Sequence, residues 1–173
     1  MTNLIKTAFP PVVNRKATIL ILGSMPGEQS LKAQQYYAHQ RNAFWTIMGE
    51  LVGASPLLNY RQRIQKLQQA GIAIWDVIAK CERNGSLDSA IIENSLVSND
   101  FADFLQNYKR IIRIYFNGKS VQRLFTRHVL RNQTIRTDIH MQVLPSTSPA
   151  NARYSIQQKL HCWRTVIDFN SKN

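Results

Sequence analysis

The chain has 173 residues, of which 44% are hydrophobic and 18% are charged, and its 22 Lys and Arg against 10 Asp and Glu give a net charge of +12. This composition predicts one globular domain over residues 1–173, with a core that needs no metal ion or disulfide for stability. The sequence has no run of about 18 apolar residues and no apolar signal-peptide core, which excludes a membrane span and predicts a cytoplasmic protein.

The excess of basic residues predicts a polyanionic partner, because a protein that neutralises phosphates releases their counterions. No four Lys or Arg are consecutive, so the charge is spread over a folded surface. Charge alone does not distinguish DNA from RNA or a membrane surface. Cys81 and Cys162 are the only cysteines and form no CxxC pair, so we expect no zinc site, no iron–sulfur cluster and no other cofactor.

The first strong pattern follows an irregular lead-in over residues 1–16. Ile19 to Leu22 is an apolar run rich in β-branched residues, which predicts a strand buried on both faces of a parallel sheet. The run ends at Gly-Ser-Met-Pro-Gly, residues 23–27, called the glycine turn below. Its backbone can approach a ligand closely, at the sheet edge where α/β proteins bind ligands. The same spacing also fits an ordinary strand-to-helix connection.

Residues 36–45 combine two tyrosines, a histidine, an arginine, an asparagine and a Phe-Trp pair. Aromatic rings beside amide and cationic groups suit a flat base and its phosphate. We assign Phe44 and Trp45 to the buried face of the helix that follows. Tyr37 and Asn42 are assigned to a ligand, although a tyrosine simply packed with its hydroxyl at the surface is the alternative for Tyr37.

Helices over residues 43–52 and 57–70 precede a second buried strand, residues 72–78. Asp76 lies near the carboxyl end of that strand. A buried carboxylate is costly without a hydrogen-bond donor. Two interpretations are open, a structural acceptor and a group that reads a base.

The rest of the chain alternates between helices and strands. Residues 79–99 predict a long surface connection, and four further elements follow: a helix at 100–108, a strand at 111–116, a helix from 119 with a basic outer face, and a strand at 142–144. A final helix closes the chain. We therefore predict an α/β three-layer sandwich with a central four-stranded parallel sheet between helical layers.

Pro-Ser-Thr-Ser-Pro-Ala-Asn-Ala-Arg, residues 145–153, follows the last predicted strand and is called the serine loop below. Small hydroxyl side chains can bond phosphates without steric cost. A plain surface turn is the alternative, because Ser-Pro turns are common.

The glycine turn, the 36–45 stretch and the serine loop together resemble the hypoxanthine-DNA glycosylases of the uracil-DNA glycosylase superfamily, over nearly the whole chain. The resemblance implies a uracil-DNA glycosylase-like fold and a monomeric, monofunctional enzyme of base excision repair. Its partner would be DNA that contains a deaminated base, and such an enzyme must extrude the damaged nucleotide into a pocket.

The resemblance also implies roles for individual residues. The catalytic residue would be Asn42. The base pocket would comprise Gly23, Ser24, Met25, Tyr37 and Asp76. The DNA contacts would come from Ser146, Thr147, Ser148, Pro149, Ala150, Asn151 and Arg153.

Three positions depart from the superfamily pattern. Met25 stands where most members have Asp or Asn, Ser146 where they have His or Asn, and Gln40 where a proline is usual. Asn42 is then the remaining catalytic candidate, since its carbonyl could orient a water towards C1′. Backbone amides of the glycine turn could stabilise the departing base. Neither motif contains a lysine, which argues against Schiff-base chemistry.

The sequence is also compatible with other functions. Uracil and hypoxanthine share a ring N–H beside a carbonyl, so excision of uracil or mismatched thymine is the close alternative. The departures at Met25 and Ser146 favour a noncatalytic nucleic-acid-binding module, whereas the presence of Asn42 argues against it. A small-molecule nucleotide binder is disfavoured by the lack of GxGxxG and Walker motifs.

Overall fold

The computed structural model describes residues 5–168; residues 1–4 and 169–173 of the predicted domain lie outside the described residues. The strands are β1 Ile5–Thr7, β2 Ile19–Gly23, β3 Ile72–Asp76, β4 Ile78–Glu82, β5 Val97–Ser98, β6 Arg113–Asn117 and β7 His140–Leu144. The helices are α1 Glu28–Ala33, α2 Phe44–Val52, α3 Tyr60–Gln69, α4 Phe101–Asn107, α5 Lys119–Phe125, α6 Ile156–Trp163 and α7 Thr165–Asp168.

The central sheet has four parallel strands in the order β3-β2-β6-β7. Gly23 is paired with Asp76, and Asn117 with Leu144. The carboxyl ends of these strands therefore meet at one edge of the sheet. This register brings residues far apart in the sequence to a common site.

Helices cover both faces of the central sheet. Side chains alternate along β2, so Ile19 and Ile21 pack with α2, α3 and α6, whereas Leu20 and Leu22 pack with α4 and α5. Phe44 and Trp45 are buried in the first of these cores, as the sequence predicts. The predicted three-layer α/β sandwich with four parallel strands is confirmed.

A second, antiparallel sheet in the order β1-β4-β5 was missed by sequence reading. The predicted strand over 72–78 is interrupted at Val77, and the chain continues into β4 of this small sheet. The predicted surface connection at 79–99 contains β4, β5 and two 3₁₀ turns, and the lead-in contributes β1. These strands have two to five residues and pair with distant segments, so neither periodicity nor length identifies them.

Local capping explains the main shift in helix bounds. The helix predicted at 57–70 begins at Tyr60 because Asn59 and Gln62 form a reciprocal capping box. The basic helix from 119 ends as an α-helix at Phe125 and continues as a π-helical turn over Thr126–Leu130. Among residues 5–168, no helix has the length and hydropathy needed to cross a membrane.

Candidate active site

A cavity of about 580 Å³ opens at the carboxyl edge of the central sheet. Its wall combines the glycine turn, the 36–45 stretch, the segment 86–89, the end of β6 and the serine loop. Eleven of the thirteen predicted site residues line this cavity: Gly23, Ser24, Met25, Tyr37, Asn42, Asp76, Ser146, Ser148, Pro149, Ala150 and Asn151. Thr147 and Arg153 do not.

Gly23 is the tightest point of the wall. A Cβ atom there would clash with Oδ1 of Asp76 and would lie 3.4 Å from the Tyr37 hydroxyl. The turn therefore requires glycine for close approach, as the sequence predicts. Oδ1 of Asp76 therefore lies in close contact with the backbone of the turn.

A buried arginine fixes the rest of the glycine turn. Arg83, at the end of β4, is completely buried and donates hydrogen bonds to the carbonyl oxygens of Met25 and Pro26. The Met25 side chain packs against Ile78 and Cys81. Since the two carbonyls point to the guanidinium, this loop is held by a charged donor on its far side.

The Tyr37 ring stacks on Phe44, with centroids 3.8 Å apart and planes 17° from parallel. Its backbone φ is +55°, a left-handed conformation that non-glycine residues rarely adopt. Such strain persists only where the surroundings enforce it, and it is frequent at functional sites. Burial, with the charge of Asp76 next in importance, raises the pKa of the Tyr37 hydroxyl, so this residue is a neutral phenol.

Asp76 is 4% exposed and ends β3 at the cavity wall. Within the described chain its Oδ2 has no hydrogen-bond partner, while its backbone carbonyl accepts from Nδ2 of Asn99. Burial raises the pKa of Asp76 to about 7, the nearby Asp88 raises it as well, and Arg83 lowers it. Burial thus favours the neutral form of this carboxyl group far more than in an exposed aspartate.

Asp88 is a cavity residue that sequence reasoning missed. One of its carboxylate oxygens accepts from Ser24 Oγ at 2.6 Å and the other from Ser120 Oγ at 2.8 Å. Both oxygens are thus satisfied, in contrast to Asp76. The residue lies in the 86–89 segment, where no periodicity or motif marks it in the sequence.

Asn42 lies just before α2. The side-chain Oδ1 accepts a hydrogen bond from the backbone N–H of Phe44 at 3.0 Å, and the backbone N–H of Asn42 donates to the carbonyl of His39 at 2.8 Å. One lone pair of the amide oxygen is thus used at the helix start, and a second remains. The Asn42 amide is held by the backbone of Phe44, and Asn42 is one of the residues that line the cavity.

The serine loop is anchored to β6 by Thr147. The Thr147 N–H donates to Oδ1 of Asn117, and Nδ2 of Asn117 donates to Oγ1 of Thr147. Thr147 is completely buried, so the prediction that it contacts DNA is wrong, and the structure gives it a role inside the loop. Asn117 was also missed, although its place at a strand end is the signal that identified Asp76.

Two further contacts hold the serine loop. Nζ of the buried Lys159 donates to the carbonyls of Asn151 at 2.9 Å and Ser148 at 3.5 Å. The Thr147 carbonyl accepts from the N–H of Ala43 at 3.0 Å, which ties the loop to the segment that carries Asn42. Arg153, the last residue of the loop, is exposed, with its guanidinium carbon 5.9 Å from the centre of the Tyr154 ring.

Across residues 5–168, no group of three His, Cys, Asp or Glu residues is placed to hold a metal ion. The cavity instead combines an aromatic stack, a buried carboxyl group, an amide and closely approaching backbone. These features suit a flat heterocycle with hydrogen-bonding edges.

Comparison with known proteins gives the class. The family model of the uracil DNA glycosylase superfamily matches residues 10–167, and the chain belongs to this superfamily. A protein of Methanosarcina acetivorans named hypoxanthine DNA glycosylase is 35% identical over 165 residues, which cover 95% of this chain and 99% of the relative. A protein of the same name from Methanosarcina barkeri is 34% identical, over 91% of this chain and 95% of the relative.

A solved structure agrees with this assignment. The solution NMR structure of a Methanosarcina acetivorans protein, provisionally named a uracil DNA glycosylase, superposes with a TM-score of 0.74 at 32% sequence identity. The match covers 94% of this chain and 98% of that structure. The predicted uracil-DNA glycosylase-like fold and the resemblance found in the motifs are both confirmed.

Proposed function

We propose that this protein is a monofunctional DNA glycosylase that hydrolyses the N-glycosidic bond of hypoxanthine, flipped out of DNA, in base excision repair. The observation that carries the proposal is the cavity in which Asn42, Asp76 and Tyr37 share one wall at the carboxyl edge of the sheet. The names of the two Methanosarcina relatives support the choice of base. The proposal includes the cytoplasmic location, the monomeric state and the single domain that the sequence predicts.

The base would be held by stacking and by edge contacts. Tyr37 has one face on Phe44, and a stacked pair of rings extends naturally to a third flat ring. The Asp76 carboxyl group lies beside Gly23 through Oδ1, and its buried Oδ2 has no partner among the described residues, so the group is suited to a polar edge of the base. Gly23, Ser24 and Met25 would supply the backbone that closes around the ring.

Hydrolysis needs a water aligned with C1′ as the base departs. Asn42 is fixed by the Phe44 N–H and retains one carbonyl lone pair, so it can orient this water without an entropic cost at reaction. Backbone amides of the glycine turn would stabilise charge on the departing base. Among the described residues that line the cavity, none is a lysine, which fits a hydrolytic mechanism rather than a Schiff base.

The DNA strand would be held by the serine loop. Ser146, Ser148, Pro149, Ala150 and Asn151 line the cavity rim, and Arg153 is exposed just beyond them. The loop is anchored from below by Thr147 and Lys159, so its outward groups can contact phosphates without reorganisation.

A substrate panel tests the function. Duplexes that contain one hypoxanthine, uracil, xanthine or mismatched thymine are incubated with excess protein, and abasic products are cleaved by alkali. We expect hypoxanthine to be released fastest, because the usual water-positioning Asp and His are replaced and Asn42 remains. Much faster release of uracil would overturn the base assignment, and binding without any product would favour the noncatalytic module.

Arg153 gives a test of DNA binding. The charge of +12 predicts that log affinity falls with log salt concentration by about 0.9 per phosphate contact. We expect Arg153→Ala to weaken binding to all duplexes to a similar extent and to lower the slope of log affinity against log salt concentration by about 1.

The matched control for this test is Arg110→Ala. Arg110 is also exposed, but it precedes β6 and so lies at the opposite edge of the sheet. Titrations of a labelled duplex at several salt concentrations compare the two variants. Equal losses in both would show only an effect of total charge, and an unchanged slope in Arg153→Ala would exclude its phosphate contact.

A further inference from the structure

Like the Tyr37 hydroxyl, the carboxyl group of Asp76 is a buried polar group of the cavity with an atom that has no hydrogen-bond partner among the described residues. It is 96% buried, and its Oδ2 has no partner within residues 5–168. Asp88, by comparison, accepts from Ser24 and Ser120. A buried ionised carboxylate without donors is strongly disfavoured. The geometry therefore favours a neutral carboxylic acid, which is itself a hydrogen-bond donor.

The groups around Asp76 act on its protonation in opposite directions. Asp88, in the 3₁₀ turn that begins at this residue, raises the pKa of Asp76. The phenols of Tyr36, Tyr37 and Tyr60 also face Asp76, whose charge raises the pKa of each of them. Arg83, on the other side of the glycine turn, is the one described cation that acts in the opposite direction on this carboxyl. Burial dominates, and the pKa of about 7 leaves both protonation states accessible near neutrality.

We propose that neutral Asp76 is the acid that delivers a proton to the purine as it leaves the sugar. This inference rests on the proposed function. As the bond between C1′ and N9 breaks, its electron pair passes into the purine. The O–H bond of Asp76 breaks at the same time, and its proton is transferred to N3 or N7 of the ring. The base leaves as neutral hypoxanthine, water adds to C1′ with loss of a proton to solvent, and the Asp76 carboxylate is then reprotonated.

The proposal divides the reaction between two sides of the cavity. Asn42 would act on the water at the sugar, and Asp76 on the leaving base. The division also bears on base choice, because a purine attached through N9 offers unprotonated ring nitrogens, whereas uracil offers only carbonyl oxygens beside its ring N–H. An acid at this position thus helps a purine more than a pyrimidine.

The first test is the pH dependence of single-turnover excision from a hypoxanthine duplex. Since the acid form of Asp76 is the active one, we expect the wild-type rate to be level below pH 7 and to fall towards tenfold per pH unit above it. Asp76→Asn should be about 10²-fold slower at pH 6, the scale of a general acid, and should lose the falling limb. A wild-type rate that does not fall above pH 7 overturns the proposal without recourse to any variant.

The control is Asp138→Asn. Asp138 is an exposed carboxylate beside Arg136, just before β7 and so at the far edge of the sheet. This variant should keep the wild-type profile. Thermal unfolding and duplex binding are measured to check that Asp76→Asn is folded. If wild type excises hypoxanthine but Asp76→Asn retains its rate and pH profile, Asp76 is not the acid and the proposed function stands. If the wild-type protein releases no base, both the role of Asp76 and the proposed function are wrong.

The second test identifies the bond that the proton forms. Duplexes with 3-deaza- or 7-deaza-hypoxanthine each lack one ring acceptor. We expect one analogue to be a poor substrate for wild type and to show no further loss in Asp76→Asn, because the acceptor of the proton is missing. If the Asp76→Asn substitution lowers the excision rate by the same factor for both analogues as for hypoxanthine, Asp76 does not protonate either nitrogen and the proposal is overturned.

Discussion

Replacement of Asn42 by alanine is expected to lower single-turnover excision of hypoxanthine by about 10²-fold or more, the scale on which one positioned catalytic group matters. Duplex affinity should change little, because the amide carries no charge for phosphates. The variant also loses the hydrogen bond from the Phe44 N–H at the start of α2, so its free energy of unfolding should fall by about 1 kcal/mol. Quenched-flow excision, duplex titration and urea unfolding measure the three quantities.

Asn42→Asp separates two roles of the amide. A carboxylate still accepts from the Phe44 N–H, is favoured at a helix N-terminus, and could orient water and stabilise an oxocarbenium-like sugar. Partial activity should therefore survive if the carbonyl oxygen is the working atom. If Asn42 instead donates its side-chain N–H to the base, the aspartate variant should be as inactive as the alanine variant. Full excision by Asn42→Ala would exclude Asn42 as a catalytic residue.

Asp76→Asn is expected to make the protein more stable at alkaline pH while it impairs excision. The pKa of Asp76 is raised from 3.8 to about 7, so the native state binds more protons than the unfolded state between about pH 4 and pH 7. Stability contributed by the neutral carboxyl is present below this window and is lost as the pH rises through it. Above pH 7 the buried charge costs up to about 4 kcal/mol, which asparagine avoids.

Urea unfolding at pH 5 and pH 8 measures this effect. We expect a gain of about 2–4 kcal/mol for Asp76→Asn at pH 8 and a much smaller gain at pH 5, with the exposed Asp138→Asn unchanged at both. A stability difference that is the same at the two pH values would show that Asp76 is ionised throughout. Such a result would identify Asp76 as a structural acceptor, the other interpretation that its sequence position allows.

The central sheet was predictable because its strands are nearly continuous apolar runs, such as Ile19 to Leu22, that end at glycine or polar residues. The small sheet was not, because β1, β4 and β5 are short and depend on pairing between distant segments. Their stability comes from tertiary contacts, which local propensity does not contain.

The residues of the candidate site likewise include some that the sequence predicts and some that it does not. Gly23, Tyr37, Asn42 and Asp76 belong to recognisable motifs or strand ends, and all four line the cavity. Asp88 also lines the cavity, but it lies in the 79–99 connection, where no periodicity marks it in the sequence. Thr147 was misplaced because a motif names residues but does not say which side chains point inwards. Burial of one hydroxyl in the middle of a surface loop is a property of the packed structure.

The bond between the Ala43 N–H and the Thr147 carbonyl joins two motifs that are more than a hundred positions apart in the chain. With Asn117 holding Thr147 through a reciprocal pair, the 36–45 stretch, the end of β6 and the serine loop form one interlocked unit. Any exchange of modules with a relative must respect this unit. A chimaera that receives a foreign serine loop without its matching strand end would inherit the outer surface of the donor but not the register that sets the amide of Asn42.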